Sequence, residues 1–390
     1  MKRILYLHAG AELYGADKVL LELIKGLDKE EFEAHVILPN DGVLVEALRQ
    51  VGAKVSVLDY PILRRKYFNP KGIVDYIRSY NFFAKQIALY AQEHSINVVH
   101  NNTAAVLEGI YLKRKLKLPL IWHVHEIIVK PKAISDFINM LMGRYADKIV
   151  TVSQAVDNHI KQSRFIKDSQ VEVIYNGVDN AVYYPMDASS IREKFDIKQD
   201  ALVIGMIGRV NAIKGQNDFI EAVEPLLEKN EQAVAFLAGG VFSGEEWRLE
   251  ELDKRIASSS VVSQIHRIDY YDKTSELYNM FDIFVLPSIK PDSLPTVVLE
   301  AMACSKPVVG YNNGGIAEMV VDGKSGFLVK PNRPQELSNA ISLLLDSSEK
   351  REKLGRVGNQ RQKELFSLDS YIKNFSELYR RKLRKNKNDD

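Results

Sequence analysis

Short apolar runs alternate with amphipathic helical stretches along this whole chain, and that alternation predicts a parallel α/β architecture. In the first half the strands read as 3–7, 35–38, 55–58, 98–100, 120–124, 149–152 and 173–175. In the second half they read as 202–207, 233–238, 265–268, 283–286, 307–310 and 326–329. Ligands in such sheets collect beyond the carboxyl ends of the strands. The residues that follow those ends are chemically rich: Gly10 and Gly15, Asn101-Asn102-Thr103, His125-Glu126, Ser153, Asn176-Gly177, Arg209, Gly239-Gly240, Asp269, Asp292 and Asn313-Gly314-Gly315. Two open sheets, each with a polar rim, predict a cleft between two domains.

At 390 residues the chain exceeds what one core usually serves, so two domains of about 180 residues are expected. The seam reads near residues 176–185, where Asn176-Gly177 turns, Pro185 blocks a helix and a new helix starts over 189–195. Residues 1–180 then form the first domain and residues 181–366 the second. A net charge of +2 argues against a nucleic-acid binder. The single cysteine, Cys304, lies in an apolar helical run, which predicts a buried, unpaired thiol. Lys2-Arg3 precedes only four apolar residues, too few for a signal peptide. No run approaches the ~20 apolar residues that span a bilayer. The expected location is the cytoplasm, or the inner face of the plasma membrane as a peripheral protein.

The stretch from Pro287 to Ala303 carries the most specific chemistry. A β-branched run, Ile283–Leu286, stops at a Pro/Ser loop, and a helix is predicted over 295–304. Asp292 lies in the loop and Glu300 about two turns on, roughly 12 Å along the axis at 1.5 Å per residue. A helix start offers free N–H groups and partial positive charge, which suits a phosphate. A carboxylate beside a phosphate is repelled unless an uncharged group lies between them, and sugar hydroxyls fit that place. The pattern reads as a nucleotide-sugar site. Upstream, Arg209 and Lys214 flank a loop where strand 202–207 ends, well placed to stabilise a departing diphosphate. Arg suits bidentate phosphate contact and Lys acts as a point charge.

Asp292 and Glu300, with Gly314-Gly315-Ile316-Ala317-Glu318 downstream and Gly208-Arg209 through Lys214-Gly215 upstream, resemble the retaining glycosyltransferases of family 4, of the bacterial surface-polysaccharide type. The resemblance spans nearly the whole chain and is strongest over about 200–335. It implies the GT-B fold: two Rossmann-like parallel-sheet domains facing across a cleft, an acceptor domain first and a nucleotide-sugar donor domain second. A last helix, about 367–390, is implied to return to the first domain, and it carries Tyr371, Phe375, Leu378 and Tyr379. Asp292 stands where the family usually has Glu, one methylene longer, a change that bears on donor sugar more than on reaction class.

Residue by residue, the resemblance implies that Glu300 holds the ribose hydroxyls; the residues alone also allow an exposed position on an amphipathic helix. Asp292 would hydrogen-bond donor-sugar hydroxyls, or simply offset the helix N-terminal charge. Leu294 and Pro295 place backbone near sugar and phosphate, and Thr296 and Val297 supply amide donors, since proline has none. Glu318 follows a glycine turn that lets backbone approach a ligand; a helix-start acid is the other reading. Ile268, with Arg267 and Asp269, lies where the family holds the nucleobase.

In the first domain the spacing from Gly10 to Gly15 resembles a phosphate-binding loop, but Ala16 stands where that motif needs Lys, and a G-x-G-x-x-G fingerprint is absent. Gly15 is implied to let the chain approach the donor diphosphate. His123 and His125 share a strand face, yet no acids or cysteines with metal spacing accompany them. His125 resembles the family histidine at the reaction centre, with a charge tunable near neutral pH. Asn101, Asn102 and Glu126 are the candidate acceptor contacts.

The implied reaction is transfer of a sugar from a nucleoside diphosphate-sugar to an acceptor hydroxyl with retention, by a hexosyl- or deoxyhexosyltransferase. Asp292 and Glu300 stand too far apart for the paired carboxyls of a retaining hydrolase, about 5–5.5 Å. Same-face attack follows, the leaving phosphate taking the acceptor proton. No Asp-x-Asp motif ends a strand, so neither metal nor resident cofactor is expected. Residues 63–68 and a helix over 73–90, with Tyr76, Tyr80, Phe82 and Phe83, mix cations with aromatics. Such a face docks on anionic lipid, or is a core helix beside a solvated basic loop. A lipid-linked saccharide is the preferred acceptor; a soluble acceptor, or a GT-B epimerase or hydrolase, is the alternative. The basic tail 380–387 reads as a frayed, solvated end.

Overall fold

A computed structural model describes residues 1–242 and 244–385. The chain forms two compact units, Met1–Gly177 together with the chain from Leu368 on, and Val178–Ser367. Each unit is built on one parallel sheet.

The first sheet has seven strands: β1 (Lys2–Leu7), β2 (Phe32–Leu38), β3 (Lys54–Val57), β4 (Val98–Asn101), β5 (Leu120–Val124), β6 (Lys148–Thr151) and β7 (Val171–Val173). Their order is β3-β2-β1-β4-β5-β6-β7. The second has six: β8 (Leu202–Ile207), β9 (Ala233–Ala238), β10 (Ile265–Ile268), β11 (Ile283–Leu286), β12 (Val308–Tyr311) and β13 (Gly326–Val329). Their order is β10-β9-β8-β11-β12-β13. Every ladder is parallel. Both sheets reverse their winding once, at β1/β4 and at β8/β11, and such switch points open a crevice beyond the strand ends.

The central strands are apolar on both faces, as a sheet covered by helices on each side requires: Ile4 to Leu7 and Ile283 to Leu286 are fully buried. The strand expected over 173–175 sits two residues earlier. Val171 pairs with Ile149 in register and the chain leaves the sheet after Val173.

The last helix, Leu368–Lys385, does belong to the first unit. Tyr371, Phe375, Leu378 and Tyr379 fall at helical spacing and join the core of β1, β2 and β4. Tyr379 Oη accepts from Tyr6 Oη at 3.1 Å and lies 2.7 Å from His100 Nδ1. The basic tail is not frayed where it is described. Arg380 Nε bonds Glu31 at 2.9 Å, Arg381 bonds Glu172 at 2.7 Å, and Lys382 Nζ donates to the Asp147 carbonyl at 2.7 Å. Carboxylates and a carbonyl along the unit's surface anchor these cations. The rest of that tail, beyond Lys385, lies outside the described residues. Cys304 is buried and unpaired, and burial pushes its thiol up to about 12, so it is inert.

Candidate functional site

In the second unit the loops after β8 and β11 are laced together backbone to backbone. Ile289 N donates to the Ile213 carbonyl at 2.8 Å. Gly215 has φ +79°, and a Cβ there would strike the Pro287 carbonyl, so only glycine serves. Asn211 Oδ1 accepts from the amides of Ile213 and Lys214 at 2.9 and 3.1 Å and shapes the intervening turn. The Lys214 stem crosses Gly208, within 3.7 Å of where a Cβ would stand. The loop after β12 completes the arrangement. Gly315 N donates to the Asp292 carbonyl at 2.8 Å, and Asn313 Nδ2 donates to the Ser288 carbonyl at 3.2 Å.

This lacing brings Lys214 Nζ to 2.5 Å from Asp292 Oδ2, with both side chains largely buried. Lys214 is therefore not a lone cation, nor does Asp292 merely offset a helix end: the two form a charge-assisted pair. Arg209 starts the same loop, its guanidinium lying 3.4 Å from the centre of the Phe242 ring. Its carbonyl accepts from Gln216 Nε2 at 3.0 Å. The helix after β11 runs Thr296–Ala303, one residue later than expected, because Pro295 stays extended as its cap. Leu294 and Pro295 are buried, so they contribute shape and backbone, while Thr296 and Val297 are half-buried. The amides of these last two have no helical carbonyl behind them to bond.

Glu300 is not on an exposed face. It is 6% exposed, and Tyr278 Oη donates to its Oε2 at 2.7 Å. Burial and that carboxylate hold the Tyr278 phenol well above its usual pKa, which keeps it a donor. The Gly314-Gly315 pair was expected to admit a ligand, but its room is taken by the chain. Gly314 has φ +63°, and Cβ atoms at the two glycines would strike the carbonyls of Asp292 and Ser293. Glu318 sits in a short turn, Ile316–Met319, with its carbonyl accepting from Arg361 Nη2 at 2.7 Å. The Ile268 carbonyl already accepts from Gly239 N at 3.2 Å, and Asp269 pairs with Arg267 at 2.7 Å.

The first unit holds a second polar cluster at its own switch point. His8, directly after β1, donates from Nε2 to Asp17 at 2.6 Å. Its backbone N–H donates to Tyr60 Oη at 3.0 Å, and Tyr60 in turn bonds the His8 carbonyl. His8 Nδ1 lies 3.1 Å from Asn102 Nδ2. Asn102 Oδ1 lies 3.1 Å from His123 Nδ1 and 3.3 Å from His125 Nε2. Asn102 is fully buried among these rings, so its side chain does not face an acceptor. Asn101 is buried too, donating to the Val106 carbonyl at 2.9 Å; the turn before the next helix, Glu108–Leu116, consumes it. Glu126 accepts from Thr103 Oγ1 and from the amides of Ala104 and His125 at 3.3 and 3.1 Å, and burial raises its pKa. These three residues build the cluster's frame. His125 is half-buried, and burial pushes it down to about 3. It is neutral at neutral pH, not tunable there as expected. Gly10 and Gly15 border open space, a Cβ at either meeting nothing within 4 Å. Among the described residues no three metal-ligating side chains come together.

Sequence reasoning missed His8, Tyr278 and Phe242, and gave Asp17 no role. His8 was findable, being the first polar residue after β1 by the same rule that selected His125. Tyr278 lies inside a helix and Phe242 is an apolar residue in a glycine loop, and neither gives such a signal.

Two family models divide the chain between them: Glycosyltransferase Family 4 over residues 14–182 and Glycosyl transferases group 1 over residues 187–361. The chain belongs to these glycosyltransferases. An uncharacterized glycosyltransferase of Methanocaldococcus jannaschii is 26% identical, covering 92% of this chain and 93% of its own. The N,N'-diacetylbacillosaminyl-diphospho-undecaprenol alpha-1,3-N-acetylgalactosaminyltransferase of Campylobacter jejuni is 25% identical, covering 90% and 92%. The crystal structure of HepE from Anabaena, in complex with UDP and glucose, superposes with a TM-score of 0.83 at 25% identity, covering 97% of this chain and 99% of HepE. This glycosyltransferase therefore has the GT-B fold.

Proposed function

We propose that this glycosyltransferase moves a sugar from a nucleoside diphosphate-sugar to an acceptor hydroxyl with retention of anomeric configuration. The observation that carries the reading is the joined loop pair of the second unit. Arg209, the Lys214–Asp292 pair and the open amides of Thr296 and Val297 all stand at the β8/β11 switch point. Anion-binding cations and a helix opening sit next to one carboxylate, and that combination fits a diphosphate joined to a polyhydroxylated ring. HepE, whose crystals hold UDP and glucose, supports the same ligand class.

As the C1–O bond to phosphate breaks, charge grows on the diphosphate, and Arg209 stabilises it together with the amide dipoles. Lys214, steered by Asp292, adds a point charge, and Asp292 also accepts from sugar hydroxyls. Glu300, fixed by Tyr278, accepts from the ribose hydroxyls. The acceptor oxygen bonds C1 on the face the phosphate leaves, and its proton passes to the departing phosphate oxygen. The proposed reaction requires no metal, and EDTA is expected to leave activity unchanged.

The acceptor is a lipid-linked saccharide of surface polysaccharide assembly. The Campylobacter relative, named for a diphospho-undecaprenol-linked substrate, supports this. So does the helix Pro70–Glu93. It turns Ile73, Val74, Ile77 and Phe82 outward, each about half exposed or more, beside exposed Arg65, Lys66, Lys71 and Arg78. Tyr76, expected on that face, is buried instead against Tyr67. Such a surface suits an anionic membrane. No described helix is long and apolar enough to cross one. Incubation with UDP-, GDP- and dTDP-sugars, with NMR of the anomeric proton of the product, tests the reaction. One donor releases its nucleoside diphosphate and the product keeps the donor's anomeric configuration; an inverted product refutes retention, and turnover of none refutes the transferase reading.

A further inference from the structure

We infer that Asn102 is a positioning residue whose amide, anchored through His8 on Asp17, dictates which ring nitrogen of His123 and of His125 carries the proton. The inference rests on the transferase reading only for its catalytic consequence. The proton arrangement itself follows from the geometry of one unit.

With the Asn102 amide nitrogen toward His8 and its carbonyl oxygen toward the two other rings, the donors and acceptors run in one direction. The Asp17 carboxylate only accepts, so His8 Nε2, 2.6 Å away, bears a hydrogen. Asn102 Nδ2 only donates, so His8 Nδ1, 3.1 Å away, is the bare nitrogen. Asn102 Oδ1 then faces the two remaining rings and only accepts. His123 Nδ1 at 3.1 Å and His125 Nε2 at 3.3 Å must both donate to it. His123 is left with a bare Nε2, and that atom is buried with no partner, a lesser cost for a lone pair than for an N–H. The Tyr60 hydroxyl, bonded to both the amide and the carbonyl of His8, holds the first link in place.

The two neighbouring histidines, their rings 4.0 Å apart, thus carry opposite tautomers. His125 presents Nδ1 as a lone pair. It can take a hydrogen bond from a hydroxyl and cannot give one, so its partner is a sugar hydroxyl acting as donor. Burial keeps the ring neutral at neutral pH, so its Nδ1 lone pair is not lost to protonation there. A second carboxylate in place of Asn102 would preserve the acceptor facing the rings; an apolar side chain would remove it.

Histidine-selective 15N labelling of the full chain, with long-range 15N–1H correlation, reads the tautomers directly. His123→Gln and His125→Gln assign the signals. The expected spectrum has His123 protonated on Nδ1, the form free histidine disfavours, and His125 on Nε2. Asn102→Leu loses the Nδ1–H signal of His123, while Asn102→Asp keeps it. In the kinetic arm Asn102→Leu loses about 100-fold in kcat, the scale of a misoriented group, with donor KM near wild type; Asn102→Asp keeps most activity. A wild-type spectrum with His123 protonated on Nε2, or His125 on Nδ1, overturns the inference, as does an Asn102→Leu spectrum identical to wild type. Should the spectra match while no nucleotide-sugar is turned over, the transferase reading falls and the positioning role of Asn102 stands. The wild-type spectrum decides even if the leucine variant does not fold.

Discussion

Lys214 and Asp292 are 78 positions apart in sequence and 2.5 Å apart in space, and they show what a chain of letters yields at the residue scale. Both were recognisable as site residues because each follows a strand end. That they pair with one another was not, because pairing depends on how two loops cross. The same holds for His8, Asp17 and Asn102, whose types are ordinary and whose contact spans 94 positions. Burial is the other hidden quantity. Glu108 is fully buried with Oε1 lacking a partner, and burial pushes it up to about 8. Its folded pKa lies above the unfolded value near 4.5, so the folded chain keeps a proton the unfolded chain has lost. The stability this gives is complete below about pH 4.5 and is lost as pH rises through 8. Glu108→Gln is therefore expected to raise stability at pH 8 by roughly 4 kcal/mol and to change nothing at pH 4; chemical denaturation at the two pH values checks this. His100, fully buried and pushed down to about 3, works in the other direction. The unfolded chain binds its proton first, so this term erodes stability as pH falls below 6.5.

At the scale of elements the strands were the legible part, since runs such as Ile283–Leu286 are short, apolar, rich in β-branched and aromatic residues, and closed by turn residues. Helix ends were less so: Pro295 was read as the first helical residue, yet its extended backbone makes it the cap. Glycines are where elements meet. Gly314 sits at φ +63° against Asp292, so Gly314→Ala combines a left-handed strain of about 1–2 kcal/mol with a backbone clash. It is expected to lower the melting temperature and to cut turnover by displacing Asp292 from Lys214; an unchanged melting temperature would contradict the packing described. The helix Pro70–Glu93 gives the other test. Its amphipathic pattern was visible, but which aromatic turns inward was not, because that depends on Tyr67 and Tyr76 meeting edge to face at 5.1 Å. Flotation with phosphatidylglycerol vesicles is expected to carry the protein at low salt, and Ile73→Glu with Ile77→Glu is expected to abolish it. Wild-type protein left at the bottom of the gradient removes the membrane proposal.

For the molecule as a whole, two parallel sheets were legible because the alternation of apolar runs and helices admits little else. The return of the helix Leu368–Lys385 to the first unit came from family resemblance; its aromatic spacing showed that it packs, not where. Membership in the glycosyltransferases fixes the reaction broadly and leaves the donor to experiment. A cognate nucleoside diphosphate at a hundredfold its Kd is expected to stabilise the fold by about 2.7 kcal/mol, read as a thermal shift against UDP, GDP and dTDP. The most direct test concerns Arg209. Steady-state kinetics with the cognate donor should compare wild type, Arg209→Ala and Arg356→Ala, the last removing an exposed cation far along the second unit's sequence. Arg361 is no such control, since it donates to the carbonyls of Glu318 and Met319. The account predicts that Arg209→Ala lowers kcat by about 100- to 1,000-fold with donor KM changed far less, and that Arg356→Ala behaves as wild type. Retained turnover in Arg209→Ala, or an equal loss in Arg356→Ala, would contradict it.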